Sequence, residues 1–206
     1  MRRVLVLGAA LTAFVLVGIA SAAKPAVVKI ALARPAVVYG SSVQLSGTVS
    51  NHQAGEFVLV LGRPFGTPAF SQVDMATTTA KGAWSYTASP AIQTSYQARW
   101  GAVTSAIVTV KVRPKITLAL QSRTATRGTF SVQVEGNRPF TGKRVLIQRI
   151  TAGGPTTVKS VKLAANSSST FTIKLPRTLA RVRVVMSTSQ ASPGYIAGYS
   201  NVWKSS

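Results

Sequence analysis

No cysteine occurs in this chain, and only three carboxylates do: Glu56, Asp74 and Glu135. The first absence excludes a disulfide framework and a lipid-modified N-terminal cysteine, so the fold has to hold by burial alone. The second, with His52 as the single histidine, leaves little for proton transfer. A Ser-His-Asp arrangement would have to pair His52 with Asp74 or Glu56. His52 sits in Ser50-Asn-His-Gln-Ala-Gly55, which reads as an exposed turn between two strands. A glycosidase pair needs two carboxylates, and Glu135 lies far along the chain from the other two. Transition-metal sites draw on Cys and His, and calcium sites on several loop carboxylates; neither supply exists here. No glycine loop that could cradle a phosphate precedes a helix. Catalytic residues, cofactors and metals are all expected to be none, and enzyme, in the form of a secreted hydrolase, is the disfavoured class.

Helical periodicity is also missing after the N-terminus: no segment carries apolar residues at helical spacing over three turns. What fills the chain is valine, threonine, serine and alanine, punctuated by 16 glycines and 10 prolines. Branched residues interleaved with polar ones between turn formers predict short strands. The one long apolar run is at the start, in MRRVLVLGAALTAFVLVGIASAAKP. Arg2 and Arg3 make a basic leader, Val4 to Ile19 an apolar core, and Ala20-Ser21-Ala22-Ala23 a small-residue cleavage region. Residues 1–23 are expected to be a signal peptide, with the mature chain starting near Lys24. No second stretch reaches the roughly 20 apolar residues that span a bilayer, so no transmembrane segment is expected after cleavage.

The remainder divides at Val108-Thr-Val-Lys-Val-Arg-Pro114-Lys-Ile-Thr-Leu, where a strand with Val108, Val110 and Val112 on one face meets a proline. The two sides repeat one another. Val43 to Gly55 spans 12 positions, as does Phe130 to Gly142; Gly55 to Trp84 spans 29, as does Gly142 to Phe171. Trp84-Ser-Tyr86 and Phe171-Thr-Ile173 are then predicted to be equivalent strands. Trp84 to Ser105 is 21 positions and Phe171 to Ser200 is 29, so the second copy carries a longer loop around Ser192-Pro-Gly-Tyr195-Ile-Ala-Gly-Tyr199. The predicted architecture is all-β: two tandem β-sandwiches, over residues 24–113 and 114–206. The aromatic stretch GAWSYTASPAIQTSYQARW at 82–100 is read as the inside of the first sandwich rather than a stacking surface.

Tyr39-Gly-Ser-Ser-Val-Gln-Leu-Ser-Gly47, Ala54-Gly55, Gly82-Ala-Trp84-Ser-Tyr86, Thr94-Ser-Tyr96-Gln-Ala-Arg-Trp100 and Ser105 to Arg113 resemble the bacterial immunoglobulin-like modules. Such modules stand in tandem in exported and surface proteins of Gram-positive, particularly high-GC (actinobacterial), organisms. The resemblance covers residues 34–113 well. The second copy departs from it, with Asn166-Ser-Ser-Ser-Thr replacing the Lys81-Gly-Ala turn and Phe171 replacing Trp84. It implies an Ig-like fold and export to the cell surface, and no catalytic residues.

Charge supplies the remaining signal. Residues 24–206 carry 22 Lys and Arg against three acids, a net +19. The split is uneven, at +6 for residues 24–113 and +13 for residues 114–206. Arg181 and Arg183 flank Val182 and are expected to share an outward face. Lys143, Arg144, Arg149, Lys159 and Lys162 lie on neighbouring segments, and these seven are the candidate polyanion-binding residues. Tyr195 and Tyr199 are the candidate recognition residues of the long loop. The expected function is non-catalytic, in a secreted or envelope-associated adhesion-type protein that contacts an anionic cell-wall polymer or an envelope protein. A purely structural spacer without a ligand is the alternative. The aromatics do not interleave with the basic residues, which argues against sequence-specific nucleic acid as the partner.

Overall fold

The computed structural model describes residues 25–176 and 179–205. The expected signal peptide, residues 1–23, lies outside the described residues. Among the described residues nine strands precede Pro114: β1 (Ala31–Leu32), β2 (Ala36–Val38), β3 (Val43–Thr48), β4 (Phe57–Pro64), β5 (Ser71–Thr77), β6 (Ala83–Ala88), β7 (Thr94–Trp100), β8 (Val103–Thr104) and β9 (Val108–Arg113). Eight follow it: β10 (Lys115–Arg123), β11 (Arg127–Glu135), β12 (Arg144–Thr151), β13 (Gly154–Lys162), β14 (Ser168–Lys174), β15 (Arg181–Met186), β16 (Gly198–Tyr199) and β17 (Trp203–Lys204). A single turn of helix, α1 (Thr188–Ala191), sits in the long loop.

Alternating side chains give each central strand one apolar face. In β3, Val43 and Leu45 are buried while Gln44 and Ser46 are exposed. Those faces meet in pairs of sheets. Before Pro114, β1-β3-β6 opposes β2-β9-β7-β4-β5, with β8 added to β7. After it, β10-β11-β14 opposes β13-β12-β15-β16, with β17 also on β15. Among the described residues no sheet mixes strands from the two sides of Pro114. All pairings between these strands are antiparallel except β2 with β9. Neighbours such as β4-β7 and β12-β15 are distant in sequence, the Greek-key wiring of immunoglobulin-type sandwiches. The chain is therefore all-β, built as two tandem antiparallel sandwiches.

The 82–100 aromatics are inside, as expected. Trp84 and Tyr96 are buried, and Tyr86 and Trp100 pack half-buried against the same core. Trp100 Nε1 also donates to Glu56 Oε2 at 2.9 Å. In the second sandwich Phe130 stacks on Phe171 at 5.8 Å and meets Trp203 edge-on at 5.0 Å.

The repeat is real, but its alignment shifts in one segment. Leu45 faces Tyr86 across β3 and β6, and Phe130 faces Phe171 across β11 and β14. The turns feeding these strands agree: Val49 N–H bonds Gly82 O as Val134 N–H bonds Ser167 O. Phe171 therefore corresponds to Tyr86, Phe130 to Leu45, and Trp84 to Ser169, two residues from the expected match. Gly55 and Gly142 do correspond, each donating its N–H to the end of the partner strand, at Thr78 O and Leu163 O. The slip arises because Val134 to Gly142 is two residues longer than Val49 to Gly55, and the following hairpin is two shorter. A shift of two keeps every side chain on its own face, so the inside assignment survives.

Tyr96 sits opposite Gly62 in this core. Burial, with a smaller push from Tyr86 against the pull of the Thr94 hydroxyl, raises its hydroxyl from 10.0 to about 12. The folded state's advantage is then complete below pH 10 and is lost as pH climbs from 10 toward 12, because the unfolded tyrosine ionises first. Two units correspond to about 2–3 kcal/mol at most. Urea midpoints measured across pH 9 to 12 should fall more steeply for the native chain than for Tyr96→Phe. Parallel curves would remove Tyr96 as the cause.

Candidate functional site

The few groups capable of proton chemistry are dispersed and occupied. His52 lies in an exposed turn at φ +56°, with Nδ1 3.3 Å from Lys81 O. Glu56 accepts from Asn51 Nδ2 and Trp100 Nε1. Asp74 takes the Met75 N–H, and Glu135 pairs with Lys115 at 3.2 Å. Among the described residues no carboxylate bonds the His52 ring, and no three Cys, His, Asp or Glu side chains gather as a metal site.

The candidate cations of the second sandwich fall into two groups, which the sequence had placed on neighbouring segments without dividing. Residues opposite buried Val145 and Ile147 face inward, and their neighbours face out. Arg144 stands directly across from Lys162, and Arg181 directly across from Lys204. Arg183 pairs with Gln148, to which its Nε donates at 2.9 Å. These five point away from the core. Along the strands they cover roughly 20 Å, since Arg144 and the neighbour of Arg181 are six residues apart at about 3.4 Å each. Arg149 and Lys159 instead turn toward the opposite sheet, where Arg149 Nη2 donates to Lys174 O at 2.8 Å and Lys159 Nζ to Thr172 O at 3.2 Å. Lys143 precedes β12 at half-buried depth, its carbonyl capping Leu163 N–H. Lys204 was missed by the sequence reading, although it flanks Trp203 as Arg181 flanks Val182.

The long loop docks on the first sandwich at Tyr195 and leaves Tyr199 exposed. Its start and end are set by a serine device present in both copies: Ala98 N–H bonds Ser105 Oγ and Val184 N–H bonds Ser200 Oγ. Each hydroxyl then donates to the next carbonyl, Ala106 O or Asn201 O. Measured between these anchors the second loop is nine residues longer. Tyr195, expected at its exposed surface, is 2% exposed. The ring packs edge-on against Phe140 at 5.5 Å, and Arg138 lies over both rings while donating to Ala191 O and Pro193 O. Tyr195 Oη accepts the Asn137 N–H at 2.6 Å and donates to Ala91 O, in the first sandwich, at 2.6 Å. Burial pushes this hydroxyl's pKa up, against the opposing Asn137 and Arg138.

Other bonds complete the junction. Gln93 N–H bonds Gly194 O at 3.0 Å and Ile196 N–H bonds Val112 O at 2.9 Å. Arg113 donates to Ala197 O. Gly194 has φ +81°, and a Cβ there would lie 2.5 Å from Ile92, so glycine is needed twice over. Tyr199 is 50% exposed, with Arg113 and Arg183 at 5.8 and 5.2 Å from its ring centre. Nothing short-range in the sequence signals Arg138 or the junction, since the partners are up to 104 residues apart.

No protein-family model matches the chain, and no curated protein does. Similar solved structures include two at low identity. One is a crystal structure of a tetra-tandem repeat in the extending region of a large adhesion protein, 13% identical, covering 87% of this chain and 49% of that one, with a TM-score of 0.35. The other is a marsupial T cell receptor, 12% identical, covering 87% of this chain and 100% of that one, with a TM-score of 0.34. This chain thus spans about half the length of the adhesion-protein repeat. The immunoglobulin-type assignment stands on the strand order above.

Tyr195→Ala removes a buried ring and both bonds of its hydroxyl, a loss of about 3–5 kcal/mol by analogy with other buried aromatics. NMR relaxation should then report separate tumbling of residues 31–113 and 115–204, where the native chain tumbles as one. Tyr195→Phe should fall between the two. Unchanged joint tumbling in Tyr195→Ala would show that the junction does not depend on this residue.

Proposed function

We propose that the chain is an exported, non-catalytic protein that binds an anionic polymer at or near the bacterial envelope through the outer face of its second sandwich. The observation that carries this reading is the cation pairing on that face. Arg144 opposes Lys162 and Arg181 opposes Lys204, with Arg183 between them. Like charges directly opposite on adjacent strands destabilise a sheet. None of the three carboxylates of the chain lies on this face to offset them: Glu135 is on β11 and paired with Lys115, and Glu56 and Asp74 belong to the first sandwich. A polyanion laid along the stripe supplies the missing countercharge and releases its own counterions. The likeness to an adhesion-protein repeat is compatible with such a role and adds nothing about the partner.

A second reading, a rigid spacer without a ligand, is favoured by the Tyr195 junction, which fixes one sandwich on the other. Binding of residues 24–206 to purified Gram-positive cell walls across a salt series separates the two. Polymer binding predicts retention that falls linearly with salt on logarithmic axes. The quadruple variant Arg144→Gln, Lys162→Gln, Arg181→Gln, Lys204→Gln should lower that slope by up to about four units. No retention, salt-independent retention, or a variant indistinguishable from the native chain returns the protein to the spacer class.

A further inference from the structure

We propose that the gap between β13 and β14 is a binding site for a single tetrahedral oxyanion, the phosphate or sulfate group of a larger molecule. This deepens the polyanion reading and rests on it only for where the anion comes from. Among the described residues β13 pairs only with β12, and β14 only with β11, so the sandwich is open where these two edges face each other. The opening is a cleft of about 260 Å³ lined by Arg149, Val158, Lys159, Thr172, Ile173 and Lys174. That is several times the ~30 Å³ of a liquid water molecule. Three of its six residues are cations, and no carboxylate lines it.

Two of the cations are held in place before any ligand arrives. Arg149 Nη2 is fixed on Lys174 O and Lys159 Nζ on Thr172 O. One bond each leaves most of their donors unspent, since a guanidinium has five N–H groups and an ammonium three. Arg149 Nε is buried, with no hydrogen-bond partner among the described residues, so the donors left for an anion are the outer N–H groups and the Lys159 ammonium. A tetrahedral anion suits this set because its oxygens accept from a guanidinium and an ammonium at once.

An inward-facing lysine on an edge strand is also a known device against sheet-to-sheet aggregation. That use accounts for Lys159 and not for Arg149, which stands on β12, inside the sheet between β13 and β15. The two uses differ in what Lys159→Gln does.

Amide NMR titrations of residues 24–206 with inorganic phosphate, inorganic sulfate and dimethyl phosphate, at ionic strength held constant with chloride, test the site. Saturable shifts confined to residues 149, 158–159 and 172–174 are expected. Lys159→Gln and Arg149→Lys should each raise the apparent Kd about tenfold. Lys159 is exposed, so its variant does not put the fold at risk. Tighter binding of dimethyl phosphate than of sulfate assigns a phosphodiester source, and the reverse a sulfated one. Shifts that follow chloride equally, that spread over the Arg144–Lys162 face, or that Lys159→Gln leaves unchanged overturn the proposal. So does a Lys159→Gln chain that only self-associates more. Saturation in the cleft without cell-wall retention would keep this site and end the polymer reading, and wall retention without saturation would do the opposite.

Discussion

In a chain without disulfides, two sandwiches joined at a proline keep a fixed relation only if something is buried between them. That role falls to Tyr195. Its ring fills the space beside Phe140 under Arg138, and its hydroxyl is satisfied on both sides, by Asn137 of its own sandwich and Ala91 of the other. Loss of either bond would leave a buried polar group unpaired, the expensive half of hydrogen-bond energetics. The nine extra residues of the loop carry this side chain to the junction, and they include α1, whose Gln190 accepts the Arg144 N–H.

The same loop links the junction to the basic face. Tyr199, four residues beyond Tyr195, carries Arg183 of the face and Arg113 of the first sandwich over its ring. A cation on an exposed ring is worth about 0.5–1 kcal/mol, which adds a modest bias to the hydrogen bonds that Arg113 makes to Ala197 O and Arg183 to Gln148 Oε1. The charge of the second sandwich is thus partly ordered rather than uniformly solvated: Arg183 by Gln148 and Tyr199, Arg149 and Lys159 by backbone carbonyls. Ordered cations lose less freedom on meeting an anion, the usual benefit of preorganisation.

Much of the architecture was legible because strand periodicity is local. Val43-Gln-Leu45 or Arg181-Val-Arg183 states its inner and outer faces without reference to the rest of the chain, and the β11 to β15 strands appear where the alternation places them. Ser105 and Ser200, paired across the copies despite spacings of 21 and 29, make the same bonds in both. Register is not local. The two-residue slip that sets Phe171 opposite Phe130 comes from paired loop-length changes, which leave the total from Val43 to Trp84 ambiguous. Burial of Tyr195 was illegible for a related reason: glycine, proline and tyrosine together describe an exposed loop tip and a docked loop equally well. Likewise, alternation puts Arg149 on the inner face of β12 with Val145 and Ile147, but that this face meets an open edge between β13 and β14 is a matter of sheet pairing, which no local pattern states.

Most bonds that cross the junction end on main-chain atoms of the first sandwich, namely Ala91 O, Gln93 N and Val112 O. A backbone atom is the same whatever side chain it carries. The second sandwich therefore grips a path of chain rather than a set of side chains, and substitutions along that path leave the grip intact while the path is kept. An array assembled this way can change its surface, module by module, without renegotiating how neighbours are stacked.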